Sequence, residues 1–355
     1  MRVYLDHNAT TPLRPESRAA MAAAMDVVGN PSSVHAEGRA AKMAMERARE
    51  ELAAALGAEG ADVIFTSGAT EAAAMILSGR GLACAPVEHD AVRAWCDPVL
   101  AVDGNGAVTV DDPARATLQL ANSETGVIQA LPAGLAVSDL TQAFGKIPLA
   151  FNWLNITAGF VSAHKLGGPK GIGALILRKG TDIDAILRGG GQEQGRRAGT
   201  ENLIGIAGFA AAATAALRDL DAGLWDGVAE QRDALERRLL DAAPDAVIVG
   251  RGGKRLPNTT CVLTSGWKGE TQVMQMDLAG YAISAGSACS SGKVRASGVL
   301  QAMGFDDQHA QSAIRISISP TLGADQMNRF ADAWETAYQR WRDRHGAAPA
   351  RQMEG

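Results

Sequence analysis

Lys165 stands in the stretch SAHKLGGPKG (162–171), directly after the apolar run GFVSA, with Ser162 and His164 before it and two glycines behind it. An amine at a strand exit can be partly desolvated, which lowers its pKa and frees it to attack a carbonyl and form a Schiff base. The glycines would let the backbone approach a ligand closely. The ordinary alternative is a surface lysine before a Gly-Pro turn. A second stretch, TSGATE (66–71), puts small residues, Ala69 among them, and Thr70 where a helix begins. Free N–H groups and the positive end of the helix dipole suit a phosphate there, although the same turn serves as a plain helix cap.

Three more stretches carry polar groups at the ends of short apolar runs. In SDLTQ (138–142), Asp139 could hold a pyridinium nitrogen protonated, or cap a helix, and Gln142 follows three residues later. In ANSETG (121–126) and VEHDAV (87–92), Asn122, Ser123 and His89 could touch a ring or its hydroxyl, or cap turns. Cys289 lies in AGSACSSGKVRASG, where Gly, Ser and Ala favour an exposed loop over a packed core. Cys84, Cys96 and Cys261 sit in apolar contexts (LACAP, AWCDP, TTCVL) that read as buried small hydrophobes.

The elements that must position these residues alternate between short β-type runs and helical ones, the pattern of an α/β domain with a mainly parallel sheet. DVIFTS (62–67), ATLQLA (116–121), GFVSA (159–163) and GALILR (173–178) read as strands; ATEAAAMIL (69–77), 37–56 and 201–220 read as helices. Ligands of open α/β sheets bind beyond the carboxyl ends of the strands, where the polar stretches fall. After Pro244 come the strands TTCVLT and AIRISIS, interleaved with helices and closed by an amphipathic helix over 324–344. The expected division is a large domain over 15–245 and a smaller α+β domain over 246–355 completed by residues 1–14.

With 355 residues, 46% of them hydrophobic, the chain can fill a sizeable core. A net charge of −5 gives no general reason to bind nucleic acid or acidic membranes, and a small ligand is expected. The four cysteines form no C-x-x-C pair or zinc-like cluster, which fits a reducing compartment. The first residues, MRVYLDHNATTP, lack an export signal, so a cytoplasmic protein is expected. The apolar run 203–217 is too short to span a bilayer and reads as a buried helix.

In chain order, YLDHNATTP, GNPSSVH, FTSGATE, VEHDAV, NSETG, SDLTQ, SAHKLGGPKG, GGGQEQGRRAGTEN, GSACSSG and SAIRISI together resemble the cysteine desulfurases of the class V aminotransferase family, over nearly the whole length. The resemblance implies the fold-type I pyridoxal 5'-phosphate (PLP) enzyme fold and a homodimer. It further implies Lys165 as the Schiff-base lysine, His89 as the ring-stacking histidine and acid or base, and Asp139 on the pyridine nitrogen. Gln142 would meet the ring hydroxyl, and Ala69, Thr70, Ser162 and His164 would lie at the phosphate, joined by Thr200 from the other subunit. Asn122, Ser123 and Arg315 would meet the substrate, Arg315 gripping its carboxylate, and Cys289 would be the nucleophile that takes sulfur from L-cysteine as a persulfide while alanine leaves. A protein acceptor of unknown identity would then receive the sulfur, for iron-sulfur cluster assembly or other transfer; no metal site is implied.

Three departures from the family pattern stand out. Ser123 replaces a usual second asparagine; the link from ATLQLA to Asp139 is short for a parallel crossover; and the helix after TSGATE lacks the usual asparagines, while the C-terminus lacks a long extension. A selenocysteine lyase or other class V β-eliminating lyase would keep Lys165, Asp139 and Arg315 without depending on Cys289. A lapsed member acting as a sulfur-transfer scaffold is the non-enzyme alternative.

Overall fold

The computed structural model describes residues 2–286 and 296–346. Its main sheet follows from period-two alternation. Val63 and Phe65 of the strand Asp62–Thr66 join one buried cluster while Ile64 joins another, and Gly173–Leu177 and Ala158–Ser162 divide in the same way. Strands apolar on both faces need cover on both. On one face lie the helices Ala36–Ala55 and Leu203–Asp221, and on the other the helix Ala69–Leu77.

The strand order is Asp62–Thr66, Gly173–Leu177, Ala158–Ser162, Val137–Asp139. Gly173–Leu177 is antiparallel to both of its neighbours, and Ala158–Ser162 runs parallel to Val137–Asp139, so one strand is reversed in an otherwise parallel sheet. The expected strand ATLQLA is reduced to single bridges, Ala83 to Ala116 and Thr117 to Val137. It still donates ladder hydrogen bonds, from Thr117 N to Ala83 O and from Leu120 N to Asp139 O, both 2.9 Å. The short link after it carries no helix between 122 and 136, as its length foretold.

Helix Leu203–Asp221 is long and apolar enough to cross a membrane, yet it packs against Pro15–Met25 and Ala36–Ala55. A Cβ on its Gly208 would come within 2.6 Å of Met21 Cγ, so glycine allows the close approach. The second large core gathers Val3 and Leu5, the strands Thr259–Leu263 and Ala313–Ser317, and the C-terminal helix Ala324–His345. Trp225, Val228, Leu235 and Leu239 of the helix Leu224–Ala242 belong to it too, so this core draws on residues before 246. The N-terminal strand Val3–Tyr4 pairs with Tyr281–Ala282, and Asp6 bridges to Ser317. That pairing lays residues 6–11 across the ends of the main-sheet strands.

Candidate active site

Lys165 closes a 3-10 turn, Ala163–Lys165, at the exit of Ala158–Ser162. Its Nζ donates to the carbonyl oxygens of Asn8 (2.7 Å) and Ala9 (2.9 Å). Burial and the Arg315 cation push its pKa down to about 8, against the opposite pull of Asp139 and Asp6. Desolvation therefore yields an amine partly free near neutrality. Asp139 ends its strand and accepts a hydrogen bond from Thr141 N at 2.8 Å; burial raises its pKa, while that hydrogen bond, His89 and Lys165 favour the anion.

Arg315 lies mid-strand, 8% exposed, opposite Ser284 and Cys261. Its Nη2 donates to Asp6 Oδ1 at 2.6 Å and its Nη1 to the carbonyl oxygen of Ser123 at 3.1 Å, while Nε has no partner among the described residues. A planar cation with a donor to spare can grip a carboxylate.

At the other end, Thr66, Gly173 and Ser162 lie abreast in register. A Cβ on Gly173 would come within 2.7 Å of Gly68 Cα, and a Cβ on Gly68 would stand 3.8 Å from Ser162 Oγ. Gly68 caps helix Ala69–Leu77 without a side-chain hydrogen bond, leaving the first-turn N–H groups of Ala69 and Thr70 available. His164, its pKa lowered to about 4 by burial and the nearby lysine cations, is neutral at pH 7, with Nδ1 3.1 Å from Thr10 Oγ1.

The aminotransferase class-V family model matches residues 3–92 and 111–330. The chain belongs to the class-V aminotransferase family. It is similar to a protein named cysteine desulfurase from Cereibacter sphaeroides, 39% identical over 93% of this chain and 94% of that one. Among solved structures, a NifS-like protein from Rickettsia africae superposes with a TM-score of 0.86 at 30% identity, covering 96% of this chain and all of that one. A structure described as SspA in complex with cysteine gives 0.75 at 25% identity, covering 90% and 99%.

In this class-V chain, Asp139 lies within electrostatic reach of His89 and Lys165, and Lys165 within reach of Asp139 and Arg315. His89 is exposed, and its Nδ1 accepts from Ala91 N at 3.1 Å, which leaves Nε2 as the donor. Asn122 caps a turn: its Oδ1 accepts from Glu124 N and Thr125 N, and its Nδ2 donates to Val87 O. Ser123 acts through its carbonyl oxygen, which receives both Arg315 and Asn8 Nδ2, so the exchange of asparagine for serine leaves that contact intact. Gln142 is bound to Asn8 O and Lys146. Thr200 is exposed and makes no hydrogen bond to Thr70, Ser162 or His164 within the chain. Its loop is nevertheless tied to the cradle helix, because Arg197 pairs with Glu71 at 2.8 and 3.3 Å.

One expectation is corrected. Gly167 and Gly168 do not make room for a ligand: a Cβ on Gly167 would come within 2.5 Å of Arg14 Cγ, and one on Gly168 within 2.8 Å of Ala163 Cβ. They close the turn against the protein itself, whereas a Cβ on Gly68 would meet only Ser162 Oγ, at 3.8 Å. Cys84, Cys96 and Cys261 are buried and free, as their contexts foretold, and Cys289 lies outside the described residues. Sequence reasoning missed Asp6, Asn8 and Lys146. Asn8 is 1% exposed and bonded to Ser123, Gln142, Lys146, Lys165, Asn258, Thr259 and Ser317. The signal available was the polar run DHNATT directly after an apolar start.

Proposed function

We propose that this chain is a PLP-dependent cysteine desulfurase that moves sulfur from L-cysteine to Cys289 and releases L-alanine. The observation that carries the reading is Lys165: a desolvated amine, its pKa lowered to about 8, held beside Asp139 and Arg315 in a class-V chain. The donor set fits the cofactor. The N–H groups of Ala69 and Thr70, Ser162 and neutral His164 suit a phosphate, and buried Asp139 suits a pyridinium. PLP, when bound, supplies an aldehyde and an electron-withdrawing ring.

The chain's own residues do the rest. Lys165 is the amine that would hold the cofactor, and once free it would carry protons to and from the reacting carbons. Arg315 orients the substrate carboxylate, supported by Asp6 and the Ser123 carbonyl. His89, its Nδ1 taken by Ala91 N, would hold its proton at Nε2. The Cys289 thiolate attacks the substrate sulfur; the new S–S bond forms as C–S breaks, and the carbon takes a proton to become alanine. The cysteine seen in the SspA structure supports the substrate. A homodimer, with Thr200 reaching the partner's phosphate site, is part of this reading and is supported by its exposure. So are a cytoplasmic setting, supported by three buried free thiols, and a protein sulfur acceptor.

Lys165→Ala should abolish the yellow cofactor band and turnover together. A persistent band would move the attachment site and defeat the reading.

A further inference from the structure

Lys146 is 3% exposed, four residues beyond Gln142 in the turns that follow Asp139. Its Nζ donates to Gln142 Oε1 at 2.7 Å and to Asn8 Oδ1 at 3.0 Å. Among the described residues no carboxylate pairs with it. Burying an amine on two amide oxygens is costly, and an apolar side chain of similar volume would fill the space at less cost. What the amine alone supplies is direction.

An amide side chain can be turned end for end at little change in shape, and only its partners decide which end faces where. With Oε1 fixed on Lys146, Gln142 turns Nε2 to Asn8 O, 3.0 Å away, the same oxygen that Lys165 Nζ meets at 2.7 Å. With Oδ1 shared between Lys146 and Asn258 Nδ2, Asn8 turns its own Nδ2 to Ser123 O and Thr259 Oγ1. The Ser123 oxygen in turn receives Arg315. Turning Asn8 over would set amide hydrogens against Lys146 and Asn258 and one oxygen against another at Ser123. Lys146 is thus the donor that the two branches share, joined on the Asn8 side by Asn258.

We propose that Lys146 is a positioning residue whose amine orients the amides of Asn8 and Gln142, and through them places Lys165 and Arg315. The inference rests on the reading of Lys165 as the cofactor-binding lysine. Lys146 touches neither substrate nor cofactor; it acts through its two amide partners. Its replacement by methionine keeps the length and apolar stem, so the fold is retained while the network loses its polarity.

The test is uptake of PLP by cofactor-free protein, followed by the visible band, with the thermal midpoint as a control for folding. Lys146→Met should take up PLP about tenfold more slowly, with a displaced absorbance maximum. In a double-mutant cycle, Lys146→Met with Gln142→Met should be little slower than Lys146→Met alone, because the two act in one network. Lys146→Gln, which cannot donate to both oxygens from its shorter reach, should share the defect and serves should the methionine variant fail to fold. Normal uptake and an unchanged band in a folded variant would overturn the inference, and so would fully independent effects in the cycle. If wild-type protein takes up no PLP at Lys165, the reading itself falls and the inference with it.

Discussion

Titration of Lys165 in the cofactor-free protein tests the site's electrostatics most sharply. Burial first, and the Arg315 cation second, lower this amine from 10.5 to about 8. At pH 7 about one amine in ten is then neutral, against about one in 3,000 for an ordinary lysine, a gain of about 300-fold in reactive form. The rate of band formation on mixing with PLP should therefore rise with pH and reach half its plateau near pH 8. Arg315→Gln removes a cation and leaves Asp6 without its ion-pair partner, and both changes favour the charged amine, so the half-point should move upward. Lys165→Ala, with no band at any pH, is the control. A wild-type half-point near pH 10 would refute desolvation as the cause, and an unmoved half-point in Arg315→Gln would refute the electrostatic part.

Glu124, buried beside Ser297 and Arg315, has its pKa raised from 4.5 to about 7 by burial. A raised acid means that the unfolded state ionises first, so wild-type stability should fall as pH rises from about 4.5 to about 7, by about 3 kcal/mol from this group. Glu124→Gln should flatten that slope in denaturant titrations across the range; an unchanged slope would be evidence against it. Glu193 accepts from Arg49 at 2.7 and 3.1 Å and from Phe65 N at 3.1 Å, so Glu193→Ala takes the buried carboxylate from Arg49, which keeps only the more exposed Glu46, and leaves Phe65 N without its partner, at a cost of about 3 kcal/mol. Arg197→Ala, which cuts a more exposed pair, should cost about 1 kcal/mol, and urea unfolding that reversed this order would be inconsistent with the burial argument. Cys289→Ser should keep the yellow band and its response to cysteine but lose sulfide release, because a hydroxyl stays protonated at neutral pH; release at the wild-type rate would point to direct elimination.

Lys165 and Asp139 were legible as candidates because each sits at or just after the end of a short apolar run, where the chemistry of an α/β sheet gathers, whereas Arg315, in the middle of its strand, was marked only by the resemblance to the cysteine desulfurases. The helix over 69–77 was legible to the residue, since a glycine cap followed by a small-residue run has few other outcomes. What was hidden depends on closure in three dimensions. Asn8 meets Ser123 and Thr259 only because Val3–Tyr4 pairs with a strand near residue 281. Local sequence gives no sign of such pairings. Lys146 carried no signal in the sequence because its burial comes from the N-terminal segment folding over it. The glycines after Lys165 misled for a related reason: their close neighbours, Arg14 and Ala163, are other parts of the protein. In ATLQLA, β-type composition was right about position, but the short link to Val137 left only bridges where a full ladder was expected.

The most direct test of the central claim is the fate of the carbon skeleton when purified, PLP-loaded protein is given L-cysteine and a thiol reductant. Sulfur capture by Cys289 leaves the amino group on carbon, so alanine and sulfide should appear in equal amounts, with one extra sulfur on the Cys289 peptide before reductant is added. Pyruvate and ammonia in place of alanine, with no added sulfur on that peptide, would contradict the account.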